Sequence, residues 1–480
     1  MSANKSPSLG LVAGIVFFIL IMLCPAPEGL SPLGLKAAAV AVLMAIWWLS
    51  DAIPMGATAL LPLILFPVLG IGEIKNYSGS YTHPNIFLFM GGFMIAMSMQ
   101  KWNLHERIAL KIISLVGDGT KRMLAGFMLA TFFLSMWISN TATTVMMIPI
   151  ALAVISQVQD PERRRVFGLV VCLGIAYAAN VGGISTPVGT PPNLIFLTQV
   201  ETLFPERPEI SFVEWMSFAA PISISFVLLV WAYLGFWVGR KAGASTGLGG
   251  EVIQSKLSSL GRMSGGEKGV ALIALFTALL WIFRRDLNFG VFSIPGWNAL
   301  LGLPPVHDAS VAILGALMLF SFSSSGERLL NWEWAKRIPW EVLLLIGGGL
   351  ALAEGMKSTG LTEWMAGGLV SLAGSSQTLI VFSVCLFSTF LTEMFSNSPA
   401  IAIALPILAS SAEVMKIDPY LLMIPATLSV SFAFMMPVAT PPNAIAMGGG
   451  YIKISDMARA GFVLSVGGAV WITLMTGVLL

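Results

Sequence analysis

The amino-acid sequence predicts an all-α polytopic membrane protein, with eleven transmembrane helices and two re-entrant hairpins in two inverted-topology repeats. Three observations predict it. Of 480 residues, 56% are hydrophobic and 10% charged, with mean hydropathy +0.85, whereas soluble domains carry roughly 25% charged residues. Apolar stretches of spanning length recur along the chain. A polar interruption inside an apolar run also occurs twice, each time followed by a proline break. The first copy is Leu134-Ser-Met-Trp-Ile-Ser-Asn-Thr-Ala-Thr-Thr-Val-Met-Met-Ile-Pro-Ile150, then Thr186-Pro-Val-Gly-Thr-Pro-Pro-Asn193. About 250 residues later come Leu391-Thr-Glu-Met-Phe-Ser-Asn-Ser-Pro-Ala-Ile-Ala-Ile-Ala-Leu-Pro406 and Pro437-Val-Ala-Thr-Pro-Pro-Asn443.

The elements follow in order. Leu9 to Leu23 is the first span, ended by Pro25 and Pro27, and the bulky Leu23 before Cys24 argues against a cleaved leader. Cys24, Cys172 and Cys385 have neither disulfide nor metal-ligand spacing and read as small buried side chains. Leu35 to Leu49 is the second span, closing on Trp47-Trp48 at an interfacial position. Ala57 to Leu69 is the third, and Pro84 opens a fourth containing Gly91-Gly92. Trp102 to Val116 is amphipathic and reads as a surface helix. Met123 to Ile155 divides at Ser139-Asn140-Thr141 into arms of about 16 residues, or roughly 24 Å each, short for a core of about 30 Å. That predicts a re-entrant hairpin over 121–160, whose basic flanks (Lys121, Arg122, Arg163, Arg164, Arg165) place both ends in the cytoplasm.

Residues 166–198 are too long for one span and break at Pro187, Pro191 and Pro192, which predicts a helix unwound near mid-membrane. Val213 to Val238 spans again. The stretch 239–267 is a cytoplasmic linker dividing the chain into halves, with 1–120 and 268–373 as scaffold and 121–238 and 374–480 as the site-bearing halves. In the second half, Val270 to Phe283 and Val311 to Phe322 span, and Pro339 precedes a span with Gly347-Gly348-Gly349. A second hairpin over 377–415 has flanks poor in basic residues and so faces outside, followed by a second broken helix over 420–448 and a last span ending at Leu480. Five crossings plus a hairpin per repeat invert the second copy, with the first span outside the repeat and the N-terminus cytoplasmic. Arg284-Arg285 falls outside in this topology, with Asp286 as the nearest acid for pairing.

Inverted repeats with sites at discontinuous helices are a transporter signature. Ser and Asn oxygens, with carbonyls freed by unwound helix, are hard neutral ligands for Na⁺. Hairpin tips and half-helix N-termini present N–H groups and a positive dipole end to an anion. Few Lys or Arg lie near the breaks, so the anion is held by neutral donors, helix ends and ions. Glu393, an ionisable residue inside the second hairpin, either positions that hairpin or couples protons or ions. His83, His105 and His307 read as surface residues, and the glycine runs as packing positions. Net charge is +2 with scattered basic residues, so nothing points to nucleic acid. No nucleophile–base pair suggests an enzyme.

At these motifs, with Trp47-Trp48-Leu-Ser-Asp-Ala-Ile-Pro54, the chain resembles the divalent anion:Na⁺ symporter family of dicarboxylate, citrate and sulfate transporters. The resemblance implies a homodimer in the inner or plasma membrane whose transport domains move as elevators against scaffold domains. It implies two or more Na⁺ ions, one held by Ser135, Ser139, Asn140 and the backbone at Gly189. The other would be held by Thr392, Asn397 and the carbonyls of Phe395 and Ala439. Substrate carboxylates would meet Asn140, Thr141, Thr190, Asn397, Ser398 and Thr440, with Pro191 and Pro441 shaping the pocket. Ser398 stands where the family has Thr, and Phe395 where a small residue is usual. The function implied is Na⁺-coupled import of C4-dicarboxylates by alternating access. A Na⁺-independent exchanger, a citrate or sulfate carrier, and a passive anion channel are the alternatives.

Overall fold

A computed structural model describes residues 7–237, 249–288, 293–367 and 376–479. Its first part runs α1 (Pro7–Leu23), α2 (Pro32–Ser50), α3 (Met55–Thr58), α4 (Leu61–Leu69), α5 (Ile74–Ser78), α6 (Pro84–Lys101) and α7 (Leu104–Val116). Then come α8 (Thr120–Ser135), α9 (Asn140–Ile155), α10 (Pro161–Gly183), α11 (Pro191–Leu203) and α12 (Phe212–Ala232), which ends in a π-turn. From the linker onward stand α13 (Gly250–Ser259), α14 (Gly265–Ile282), α15 (Trp297–Leu300), α16 (Asp308–Ser321), α17 (Trp332–Ala335), α18 (Trp340–Ser358) and α19 (Leu361–Gly367). The second site-bearing part holds α20 (Gln377–Met394), α21 (Asn397–Met415), α22 (Tyr420–Ser429), α23 (Pro441–Gly448) and α24 (Ile454–Leu479). Among the described residues, seven helices are long and apolar enough to cross a bilayer singly, or eight with the bent α18–α19 pair. Two of the seven, α20 and α21, are the arms of the second hairpin, and the sequence-predicted breaks separate α10 from α11 and α22 from α23, with a further break between α3 and α4.

The first hairpin returns on itself. Met123 at the start of α8 and Val154 near the end of α9 both pack on Gly249. In the second hairpin, Phe387 and Leu391 of α20 line one apolar gap with Ile403 and Ile407 of α21. The two halves interlock. Hairpin arm α9 packs on half-helix α23, and hairpin arm α21 packs on half-helix α11. Helix α10 runs through the centre, with 94% of its most apolar window buried. The glycines of the fourth and ninth crossings do act in packing: a side-chain carbon at Gly91 would lie 2.6 Å from the Ala312 backbone, and one at Gly348 2.2 Å from Ala59 O. Only hydrogen fits at these crossings.

Four expectations are corrected. Arg284 and Arg285 do not pair with Asp286, whose carboxylate accepts from the Gly296 N–H at 2.7 Å. Arg284 is buried between Glu209 (2.5 Å) and Asp308 (2.6 Å), while Arg285 reaches Glu209 and Glu214. Helix α7 is not a free surface helix: Arg107 is buried, with Nε 2.5 Å from Glu267 and donors to the carbonyls of Leu260 and Gly261. The linker carries a helix, α13, where a loop was expected; its stretch 239–248 lies outside the described residues. His83 and His307 are structural caps, their Nδ1 atoms accepting the N–H of Asn85 and Ala309 at the starts of α6 and α16. Burial holds both imidazoles below the usual range, His83 down to about 4 with a further push from His307. Glu201, 3.6 Å from His83 Nε2, would favour the charged form, but desolvation outweighs it.

Candidate functional site

The two proline breaks fold alike because the same amide does the same work in each. Two prolines at a helix start donate no N–H groups, so the side chain that follows is what ties the unwound segment down. Asn193 Nδ2 donates to the carbonyls of Gly183 (3.0 Å) and Thr186 (2.7 Å). Asn443 Nδ2 donates to those of Ala433 and Met436, both at 3.0 Å. Each partner in the second set lies 250 positions after its counterpart. The next carbonyl is also held in both copies: Ile184 O accepts from the Trp215 indole (2.9 Å) and Phe434 O from the Tyr177 hydroxyl (2.8 Å). The duplication seen in the motifs thus extends to individual hydrogen bonds.

The first half-site gathers most of its candidate residues. Ser135 ends α8 fully buried, Ser139 caps α9 by accepting the Ala142 N–H, and Asn140 opens α9. A side-chain carbon at Gly183 would lie 2.6 Å from Asn140 Oδ1, and one at Gly189 2.9 Å from Ser135 O, so these residues share one small space. Ser135 Oγ and Asn140 Oδ1 are buried there without a protein donor. Each unmatched buried oxygen costs about 1–3 kcal/mol, a cost that a bound cation would offset. Thr190 is buried at the N-cap of α11 with no capping hydrogen bond from its side chain, Pro191 is half-buried, and Thr141 is exposed.

The second half-site differs in its hydrogen bonding. The Thr392 hydroxyl donates to Asn397 Oδ1 at 2.5 Å across the Phe395-Ser396 break. Thr440 is buried at the N-cap of α23, Ala439 is buried, Phe395 and Ser398 are half-buried, and Pro441 is exposed. No hydrogen bond among those described joins the Phe395 backbone to Ala439. Glu393 supplies the link instead: its carboxylate accepts the N–H groups of Phe434 (2.7 Å), Met435 (2.9 Å) and Met436 (3.0 Å), and the Ser465 hydroxyl (3.2 Å). These contacts tie the second hairpin to the backbone of the second break. Tyr177, Asn180 and Trp215 escaped the sequence reading, and Asn193 and Asn443 entered it only as the ends of the proline motifs; for Tyr177 and Asn180, polar side chains inside the apolar run 172–184 were the available signal.

The profile described as "Sodium:sulfate symporter transmembrane region" matches residues 5–480. The chain belongs to this family. That bears out the resemblance drawn from the paired motifs. Curated relatives in the family include the sodium-dependent dicarboxylate transporter SdcS of Staphylococcus saprophyticus, 40% identical over 96% of this chain and 89% of that one. SdcS of Staphylococcus aureus is 39% identical over 98% and 89%. Among solved structures, Neisseria gonorrhoeae MtrF, titled an antimetabolite efflux pump, covers 97% of this chain and 94% of its own at TM-score 0.60 and 13% identity. The YdaH transporter of Alcanivorax borkumensis covers 99% of each chain at TM-score 0.58 and 14% identity. At such identities the likeness is one of fold.

Proposed function

We propose that the chain is a Na⁺-coupled importer of C4-dicarboxylates. The observation that carries this is the duplicated pair of half-sites, each with neutral oxygens at the start of a hairpin arm and of a half-helix (α9 and α11 in the first, α21 and α23 in the second). Buried oxygens without donors at Ser135 and Asn140 suit a cation. The positive ends of the four helices suit a dianion without an arginine clamp. Ser135, Ser139, Asn140 and the backbone at Gly189 hold one Na⁺; Thr392, Asn397 and the carbonyls of Phe395 and Ala439 hold another. Asn140, Thr141, Thr190, Asn397, Ser398 and Thr440 meet the substrate carboxylates, between Pro191 and Pro441. Cations bound beside the anion add positive field to it, so each raises the affinity of the other. The SdcS names of relatives at about 40% identity support the dicarboxylate and the Na⁺ dependence.

In this reading the protein is a homodimer in the inner or plasma membrane with a cytoplasmic N-terminus. The parts 121–238 and 374–480 carry the site across the membrane against a scaffold of 1–120 and 268–373. Radiolabelled succinate uptake into proteoliposomes tests it, with and without an inward Na⁺ gradient and with a preloaded-dicarboxylate control. Uptake driven by Na⁺ alone supports a symporter. Uptake needing only internal dicarboxylate makes it an exchanger and removes the ion roles of Ser135 and Thr392. The family's description names sulfate, so sulfate is the second reading. Sulfate that competes with succinate and is itself accumulated would favour it.

A further inference from the structure

The two clamps differ in one respect. Asn193 Oδ1, in the first, has no donor. Its counterpart in the second, Asn443 Oδ1, accepts from Asn180 Nδ2 at 3.2 Å, and the same Asn180 nitrogen lies 3.2 Å from Ala433 O. Asn180 belongs to α10, in the first half of the chain, and is 1% exposed. The position 250 residues on is Val430, which has no donor to offer in return. One turn earlier on the same face, Tyr177 holds Phe434 O. One turn later, Gly183 lies under the Asn140 amide and gives its carbonyl to Asn193. Two successive turns of α10 therefore touch both half-sites, and the brace runs one way, from the first to the second.

We propose that Asn180 is a positioning residue that couples the half-sites: cation binding in the first, which fixes the end of α10, raises affinity in the second. This rests on the ion-binding function above. It makes the sites cooperative rather than two independent copies. A rigid helix end contacting both breaks is the physical element that such coupling requires.

The test is the Na⁺ dependence of succinate uptake for Asn180→Ala and Tyr177→Phe, the latter removing one hydroxyl while keeping its ring. Gln199→Ala is the control: Gln199 Nε2 also crosses between halves, donating to Ala402 O at 2.9 Å, but away from either break. The expected result is about a tenfold rise in half-saturating Na⁺ for Asn180→Ala. Its Hill coefficient falls toward one, with maximal rate far less affected, and Tyr177→Phe shifts the same way by less. Gln199→Ala lowers thermal stability and leaves the Hill coefficient alone. If Asn180→Ala does not fold, Tyr177→Phe alone decides by the same readout. A wild-type Hill coefficient in the folded variant, or an equal fall in Gln199→Ala, overturns the coupling while leaving Na⁺ symport standing. Wild-type uptake without Na⁺ dependence overturns both.

Discussion

Replacing Glu393 by alanine removes the acceptor for three consecutive backbone N–H groups in a segment that runs from buried Phe434 to exposed Met436. Each buried N–H left unpaired costs about 1–3 kcal/mol. Taking the low end for each gives about 3 kcal/mol, or a roughly hundredfold smaller population of the ordered break. Because the break carries Ala439 and Thr440, the proposed ion and substrate ligands, apparent affinity for Na⁺ and succinate should fall by about the same factor. Glu393→Gln is the informative partner. Its one remaining oxygen still serves Phe434 and Met435, but its amide then faces the Met436 N–H. The expected loss is about 1–2 kcal/mol, roughly tenfold in affinity. Proteoliposome uptake titrated with Na⁺ and with succinate reads the affinities, and melting in detergent reads the fold. A positioning role leaves the pH profile of Glu393→Gln like that of the wild type. If Glu393→Ala keeps wild-type affinity, or if Glu393→Gln abolishes the pH dependence of uptake, the carboxylate carries protons or ions and the positioning account is wrong.

Asn140→Ala and Asn397→Ala should each abolish Na⁺-driven uptake at normal expression, since we propose that each amide serves an ion and the substrate; near wild-type transport in either would remove it from both roles. Arg284→Ala leaves Asp308 buried without its cation, a change worth about 3–5 kcal/mol, seen as a lower melting temperature and less monodisperse protein. Acid should destabilise the wild type through His83, whose folded pKa of about 4 lies below its unfolded value of 6.5. The stability is complete above 6.5 and is lost as pH falls toward 4, by up to about 3 kcal/mol. His83→Asn keeps a capping oxygen and should flatten that part of the melting-temperature profile; an unchanged acid slope would show that His83 is not the group responsible.

The paired breaks are legible in the sequence because a bilayer makes small polar residues conspicuous. Ser139, Asn140, Thr141, Thr143 and Thr144 would pass unnoticed in a soluble helix, and here they mark the hairpin. Arm lengths are equally legible, since the 30 Å core sets the scale against which 16 residues fall short. Partners distant in sequence are not. Arg284 takes Glu209, 75 positions away, while neighbouring Asp286 is consumed by a backbone N–H. Glu393 has no visible task until folding brings residues 434–436 to it. Asn180 and Tyr177 sink into an apolar run because hydropathy averages over them, although the cost of burying an amide was the clue to a partner. The histidines read as surface because an N-cap needs no second side chain in the sequence to announce it.

The exchange of arms between halves also sets a problem for the ribosome. Helix α9 packs on α10 within its own half and also on α23, and α11 packs on α18, α21 and α22. At roughly 5–20 residues per second, a lag of about 250 residues lasts tens of seconds. Throughout that interval the first hairpin and the first broken helix wait in the membrane without the second-half faces of α21 and α23. The faces that the two halves share are therefore completed late, when the last third of the chain is made.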